Sequence, residues 1–457
     1  MFGECFQHKS QVVAAAAIGA LFVALDANKA LAVPSFARQT GFACEACHTV
    51  FPQLTPFGRV FKASGYTLFN TLKVGDIDKM KRSTLSISDL PPISAMIIAS
   101  TGEETKASDS TSSKSSTDFP QQASLFYAGR ISDNVGAYFQ LTYDDQSGTV
   151  GIDNTDIRFA DVANLDGHNV IYGASLNNNP TVQDLWNSTP AWGQPFIGSP
   201  AMQSPVAHTQ IEGAMAQSVA GLTAYTYIDQ TYYGEVGIYR SALQGASVAN
   251  NGNTTNNVIA NAAPYWRFAY ENDWGSNSWQ FGTLGLYATL DNPTTPAGNA
   301  INGSLQGAMH DSFLDAGLDT QYQYIDDDNQ ISIDGRWVHE EERLNASFAA
   351  GFASNSTDQI DSFDLTGSYY WRRKFGASIG VFNVSGSSDP LYFGSSNGSP
   401  SSTWSTAEVD YVPWLNVKLG LQYTAFFKFD GASTNYDGAG RNASDNNMLY
   451  AFLWVAF

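Results

Sequence analysis

Two cysteines separated by two residues and followed at once by a histidine, Cys44-Glu45-Ala46-Cys47-His48, are the side chains here whose types and spacing best fit chemistry. A C-x-x-C pair alone suits a thiol redox couple, half of a metal site or a macrocycle anchor, and the next residue separates these. With histidine in that place the pattern is that of covalent c-type haem attachment. Two thiols on one turn reach the two vinyl groups of the ring, and the adjacent imidazole lies beneath the iron as its proximal ligand. A zinc site would need two more ligands, and the sequence has no second cysteine pair, its third cysteine being Cys5. A thioredoxin-like pair would want a βαβ setting, which the surrounding pattern lacks.

After His48 the next histidine is His168, so the soft candidates for the sixth iron position in this segment are the thioethers of Met96 and Met80. Met96 sits in the apolar run Ile93-Ser94-Ala95-Met96-Ile97-Ile98 and is preferred; Met80 is flanked by charge in Asp78-Lys79-Met80-Lys81-Arg82. Plain packing of either sulfur, or an open or water-bound position, are the alternatives. Phe36, Phe42, Phe51, Phe57, Phe61 and Tyr66 suit the enclosure of a flat apolar ring and equally an ordinary small core. Thr55-Pro56 before Phe57 to Ser64 and then Gly65 predicts a capped helix with Thr55 as N-cap, proline in the first turn and glycine as terminator. Phe57, Val60 and Phe61 form its apolar face. Arg38, Arg59 and Lys62 are available to haem propionates or to solvent.

The elements that must position these residues fall into three parts. Residues 12–25 are an apolar run of signal-peptide length, too short to span a bilayer as a helix, and Ala30-Leu31-Ala32 fits the small-x-small rule, so residues 1–32 are expected to be a signal peptide that takes Cys5 with it. Residues 33–92 form the c-type cytochrome segment. At about 60 residues its core alone is marginal, so it is expected to dock against, or inside, the remainder of the chain.

Residues 93–457 show alternation with period two. Leu415, Val417, Leu419, Leu421, Tyr423, Ala425 and Phe427 take one parity; Asn416, Lys418, Gly420, Gln422 and Thr424 take the other. Leu314, Ala316, Leu318 and Tyr322 oppose Asp315, Asp319 and Gln321; Phe363, Leu365, Tyr369 and Trp371 oppose Asp364, Thr366 and Arg372. Val135, Ala137, Phe139, Leu141 and Tyr143 against Gln140, Thr142 and Asp144, and Trp266, Phe268 and Tyr270 against Arg267 and Glu271, repeat the pattern. Apolar outside and polar inside is the rule of a transmembrane antiparallel β-barrel, and the reverse of a soluble sandwich. There are 16 or 17 strand candidates, and even parity favours 16, a size that encloses a lumen able to accept a plug. Short turns such as Ser132-Asp133-Asn134 and Asp327-Asp328-Asn329 alternate with longer stretches, 103–118, 243–262 and 385–402, the first expected to be a flexible surface loop. The aromatic C-terminal strand Leu449 to Phe457 looks like that of outer-membrane proteins.

Composition agrees: 13% aromatic, only 14% charged, and 40 glycines suit strands joined by polar turns. A net charge of −20 disfavours nucleic acid as a partner and leaves small cations as guests, or simply soluble loops. The runs Asp326-Asp327-Asp328 and Glu340-Glu341-Glu342 are expected to be exposed loop charge, with His339 an ordinary strand-end histidine.

Pro34 to Gly41, the Cys44 to His48 motif and Phe51-Pro52-Gln53-Leu54-Thr55-Pro56-Phe57-Gly58-Arg59-Val60-Phe61-Lys62 closely resemble the outer-membrane monohaem cytochrome-porin fusions of iron-oxidising bacteria. Over the barrel the resemblance rests on length, order of parts and general pattern. It implies one covalent haem c on Cys44, Cys47 and His48, electrons taken from extracellular Fe(II), a soluble periplasmic cytochrome c as acceptor, and a barrel that insulates the carrier in the outer membrane. Such a chain would perform iron:cytochrome c oxidoreductase-like electron transfer without bond-making chemistry. Its runner-up is a porin whose haem-bearing plug gates or senses. A soluble periplasmic haem enzyme such as a peroxidase is disfavoured by the amphipathic strands and by the lack of a second haem motif.

Overall fold

The computed structural model describes residues 35–49, 51–67, 92–107, 113–145, 148–242, 257–301, 310–414 and 416–457. The apolar leader, Met80 and Leu415 lie outside the described residues.

Alternating side chains produce strands wherever the sequence has period two. In chain order they are β1 (Ile93–Glu104), β2 (Ser115–Arg130), β3 (Val135–Asp144), β4 (Thr149–Leu165), β5 (His168–Asn177), β6 (Val219–Ile228), β7 (Tyr232–Ser241), β8 (Val258–Ile259), β9 (Ala263–Trp274), β10 (Asn277–Asp291), β11 (Asp311–Ile325), β12 (Asn329–Arg343), β13 (Thr357–Trp371), β14 (Phe375–Gly386), β15 (Ser402–Trp414), β16 (Val417–Lys428) and β17 (Met448–Ala456). β8 is a two-residue strip on β10, which leaves sixteen long strands. They form an antiparallel meander that closes where β1 pairs with β17, from Met96 opposite Ala456 to Glu104 opposite Met448.

The faces are inverted relative to a water-soluble protein. Leu365 is 41% exposed while its neighbour Thr366 is 6% exposed; Leu314 and Leu318 point out while Asp315, Asp319 and Gln321 are buried within the cylinder. An apolar outer wall without free sheet edges is what a lipid surround demands, since unpaired backbone groups have no partner there. The chain is a closed outer-membrane β-barrel. The short turns 131–134, 166–167, 275–276 and 326–328 sit at the end where β1 begins and β17 finishes. The longer connections sit at the other end, which makes the short-turn end periplasmic and the long-loop end extracellular.

Three expectations are corrected. The stretch 103–118 is partly strand, because β1 runs to Glu104 and β2 starts at Ser115, with Glu103 paired to Ser115. Glu340 and Glu342 are not loop charge: they lie on the lumen face of β12 and are buried, and only Glu341 faces out. Arg372 is not a lumen residue but belongs to the 372–374 turn, with φ of 51° and a bond to Asp328. The long loop expected at 385–402 is present between β14 and β15 and includes a short helix, Pro390–Phe393, whose Tyr392 and Phe393 are buried.

The connection between β5 and β6, residues 178–218, folds into the lumen. Its backbone N–H groups at Val206, Gln210 and Ile211 donate to Asp430, Glu340 and Asp315 of the barrel, and Trp186 is wholly buried. Residues 178–218 therefore occupy part of the interior.

Leu365 lies mid-strand between Gly335 and Val381. Leu365→Arg is expected to destabilise the lipid-embedded barrel by about 2–4 kcal/mol, the cost of a midplane cation on the lipid face, measured by denaturant titration in vesicles.

Candidate functional site

Three short helices precede the barrel: α1 (Ser35–Thr40), α2 (Cys44–Cys47) and α3 (Pro56–Ala63). Thr55 organises the last two. Its hydroxyl accepts from Gly58 N at 3.1 Å, capping α3, and donates to the Ala46 carbonyl at 2.6 Å, while Thr55 N donates to Cys47 O at 2.9 Å. Pro56 opens α3 and Gly65, with φ of 69°, comes just after its end. Gly58 is required by contact: a Cβ there would stand 2.3 Å from the Cys47 carbonyl oxygen, so only glycine lets α3 lie against the cysteine turn.

Cys44, Cys47 and His48 are half-buried and line a cavity of about 570 Å³, within the range of small-molecule and cofactor sites. All six aromatic residues singled out in the segment, Phe36, Phe42, Phe51, Phe57, Phe61 and Tyr66, line it as well. Met96, buried on the lumen face of β1, lines the same cavity from the barrel wall. Ala95, Arg373, Val412 and Ala456, at or beside the short-turn strand ends, also line it.

The donor set suits a c-type haem. Burial pushes the Cys47 thiol up to about 11 and raises Cys44, the reverse of the lowered thiolate that a redox pair exploits. His48 Nδ1 lies 3.3 Å from the Pro52 carbonyl, and burial lowers the imidazole to about 4. A neutral ring donating from Nδ1 keeps its Nε2 lone pair available, the arrangement that fixes the tautomer of a metal-bound histidine.

The segment is fastened inside the cylinder by buried polar contacts. Arg59, 1% exposed, pairs with Glu271 of β9, donates to Ser278 of β10 at 2.7 Å and to Gln321 of β11 at 3.3 Å. Glu271 also accepts from Trp186 Nε1 at 3.0 Å and from Tyr227 OH at 2.7 Å, so plug, inner connection and wall meet at one carboxylate. Lys62 Nζ donates to the Val182 and Asp184 carbonyls and to Asn187 Oδ1 at 2.6–2.8 Å and stands 4.7 Å from the Trp192 ring. Tyr66 OH donates to Asp156 at 2.6 Å, and Arg158 N–H donates to the same carboxylate at 2.7 Å.

Docking inside the barrel, one of the two placements expected of the segment, is thus what the structure adopts. Arg59 and Lys62 are neither solvated nor left free for propionates: the wall and the inner connection hold them. Arg38 donates to the Ile93 carbonyl at the start of β1. His339 bonds Asp361 at 3.0 Å. The wall and inner-connection residues that complete the cavity, among them Tyr138, Trp192, Phe196, Lys418 and Trp454, were not anticipated. For 178–218 the missed signal is a long gap in period two carrying Trp186, Trp192 and several prolines between two strands.

Fold and site together define the class: an outer-membrane barrel whose lumen holds an N-terminal plug bearing the cysteine pair. No protein-family model matches the chain, and no curated protein matches it. Among solved structures it is similar to OmpT of Vibrio cholerae, at 9% identity and a TM-score of 0.43, covering 80% of this chain and 96% of that one. It is similar to the anion-selective porin from Comamonas acidovorans at 12% identity and a TM-score of 0.45, covering 80% and 98%. It is also similar to the outer-membrane channel DcaP of Acinetobacter baumannii at 10% identity and a TM-score of 0.42, covering 80% and 96%.

Arg59→Ala strands Glu271 as an unpaired buried charge and is expected to cost about 3–5 kcal/mol, read as earlier unfolding and faster proteolysis of residues 35–67. The double change Arg59→Met with Glu271→Gln is expected to recover a large part of that loss. Burial, with the Arg158 guanidinium adding to it, lowers Lys62 from 10.5 to about 7. Between those values the unfolded chain carries a proton that the folded chain lacks, so Lys62 makes stability rise with pH across that window. Lys62→Met is expected to flatten this rise, as checked by denaturation curves at both ends of the window.

Proposed function

We propose that this chain is an outer-membrane electron-transfer protein carrying one haem c bound through Cys44 and Cys47, with His48 as proximal and Met96 as distal ligand. The carrying observation is the cavity of about 570 Å³ where the C-x-x-C-H residues, the six aromatic side chains and Met96 meet. When bound, the group supplies a one-electron ferric/ferrous couple. The Pro52 carbonyl accepts from Nδ1 and orients the His48 ring. The aromatic side chains exclude water, and the barrel keeps lipid away from the carrier. An extracellular one-electron donor, Fe(II) being the one that the resemblance implies, is oxidised, and a soluble periplasmic cytochrome c takes the electron at the short-turn end.

A porin with a haem-bearing plug that gates or senses is the second reading, favoured by a sixteen-strand cylinder of the size that encloses an aqueous channel. The buried anchors at Arg59, Lys62 and Tyr66 tell against a plug that moves easily.

The purified protein is expected to show a Soret band and to keep its haem through denaturing electrophoresis, while Cys44→Ala with Cys47→Ala loses both. Stopped-flow mixing with Fe(II) should reduce the wild-type haem rapidly. Slow reduction together with large ion conductance in planar bilayers would favour the porin, and absence of haem from the mature chain would end both readings.

A further inference from the structure

The lumen wall has two chemistries. Along β9 and β11 it is polar and charged, as barrel interiors usually are, with Arg267, Glu271, Asp315 and Asp319 pointing in. Along β14, β15 and β16 it carries the Glu408–Lys418–Asp410 charges toward the short-turn end and, beyond them, Phe382, Trp404 and Phe426, cross-strand neighbours in register with Phe382 opposite Trp404 and Trp404 opposite Phe426. An aqueous channel has no use for such a rung, and its two ends lead to different places.

Toward the extracellular end, Phe426 lies 5.2 Å from Phe429, and Phe429 lies 4.8 Å from Tyr436, in the 429–447 loop. Within the rung the centroid distances are 6.1 Å from Phe426 to Trp404 and 5.3 Å from Trp404 to Phe382. Toward the plug, Phe382 and Phe51 both line one small cavity of about 50 Å³, and Phe51 lies 5.1 Å from the His48 ring. These ring pairs are within the roughly 4.5–7 Å of aromatic groups in contact, whereas Phe382 and Phe51 are joined by the shared cavity and not by a ring contact. Gly380 makes room for this arrangement, since a Cβ there would stand 2.6 Å from the Phe382 ring.

We infer that the rings from Tyr436 through Phe429, Phe426, Trp404 and Phe382 to Phe51 are the route by which electrons cross the barrel from its extracellular loops to the haem site. The inference rests on the electron-transfer reading above. Residues 178–218 and the plug lie inside the barrel between the extracellular loops and the cysteine turn, and π-systems in contact from Tyr436 to Phe382, followed by one gap across the small cavity to Phe51, shorten the distance that an electron must cross without a ring. With the haem bound, one electron would leave a one-electron reductant at the 429–447 loop and reduce the ferric iron, the rings serving as bridges that are not themselves reduced; no bond would form and no proton would move.

The test uses full-length holoprotein in vesicles, long loops outward, with hexaammineruthenium(II) added outside as a substitution-inert, impermeant reductant. Trp404→Leu and Phe429→Leu are each expected to slow haem reduction about tenfold or more, while Trp404→Phe, which keeps a ring, stays within about threefold. The Soret spectrum, midpoint potential and heat-modifiable gel mobility should be unchanged in all three. As a second readout, a photo-oxidant attached through Tyr436→Cys should oxidise ferrous haem after a flash, and more slowly when Trp404→Leu is added. Leucine variants that match wild type in both measurements overturn the route alone. A wild-type holoprotein that accepts no electron from outside, yet is reduced from the periplasmic side, overturns the route together with the reading on which it rests.

Discussion

Lipid leaves a backbone without hydrogen-bond partners outside the protein, and the pairing of β1 with β17 is the consequence on which the rest of the molecule depends. Closure turns sixteen long strands into a cylinder and sends each polar parity inward. The cylinder then has an interior wider than its own side chains fill. In this chain protein occupies part of that space: the N-terminal helices at the periplasmic half, and residues 178–218 reaching in from the extracellular end, tied to Asp315, Glu340 and Asp430.

The plug is seated by charge more than by greasy contact. Arg59 and Glu271 are both about 1% exposed, and Trp186, Tyr227, Ser278 and Gln321 satisfy much of what the pair leaves over. A buried ion pair contributes little net stability compared with apolar side chains of the same size, but removing one partner is severe. Its value here is positional: one arginine on α3 reaches three adjacent strands, which fixes how the helix is turned. The same helix, through Gly58, presses on the cysteine turn, so the orientation of the candidate ligand set is inherited from the barrel wall.

Two wall chemistries then divide the interior. The charged residues of β9 and β11 receive the plug and the inner connection, whereas the Phe382, Trp404 and Phe426 rung of β14 to β16 reaches from the 429–447 loop to the small cavity that Phe51 also lines. The cavity lies where both meet, bounded by plug aromatics on one side and by Met96 and Trp454 of the two closing strands on the other.

Period-two alternation, the C-x-x-C-H spacing and the Thr55-Pro56 cap are local patterns, and the amino-acid sequence alone determined them: the barrel, its outward and inward parities, the cysteine turn and the α3 helix. Each depends on residues within a few positions of one another, where backbone geometry and side-chain parity act directly. Tertiary structure alone decided the rest. That Arg59 meets Glu271 and not a propionate, that Glu340 and Glu342 face the lumen, that residues 178–218 turn inward, and that Met96 shares a cavity with His48 are outcomes of closure. Which distant residues are brought together around a ring is set by strand register and shear, summed over the whole circumference, and no short window of sequence contains that sum.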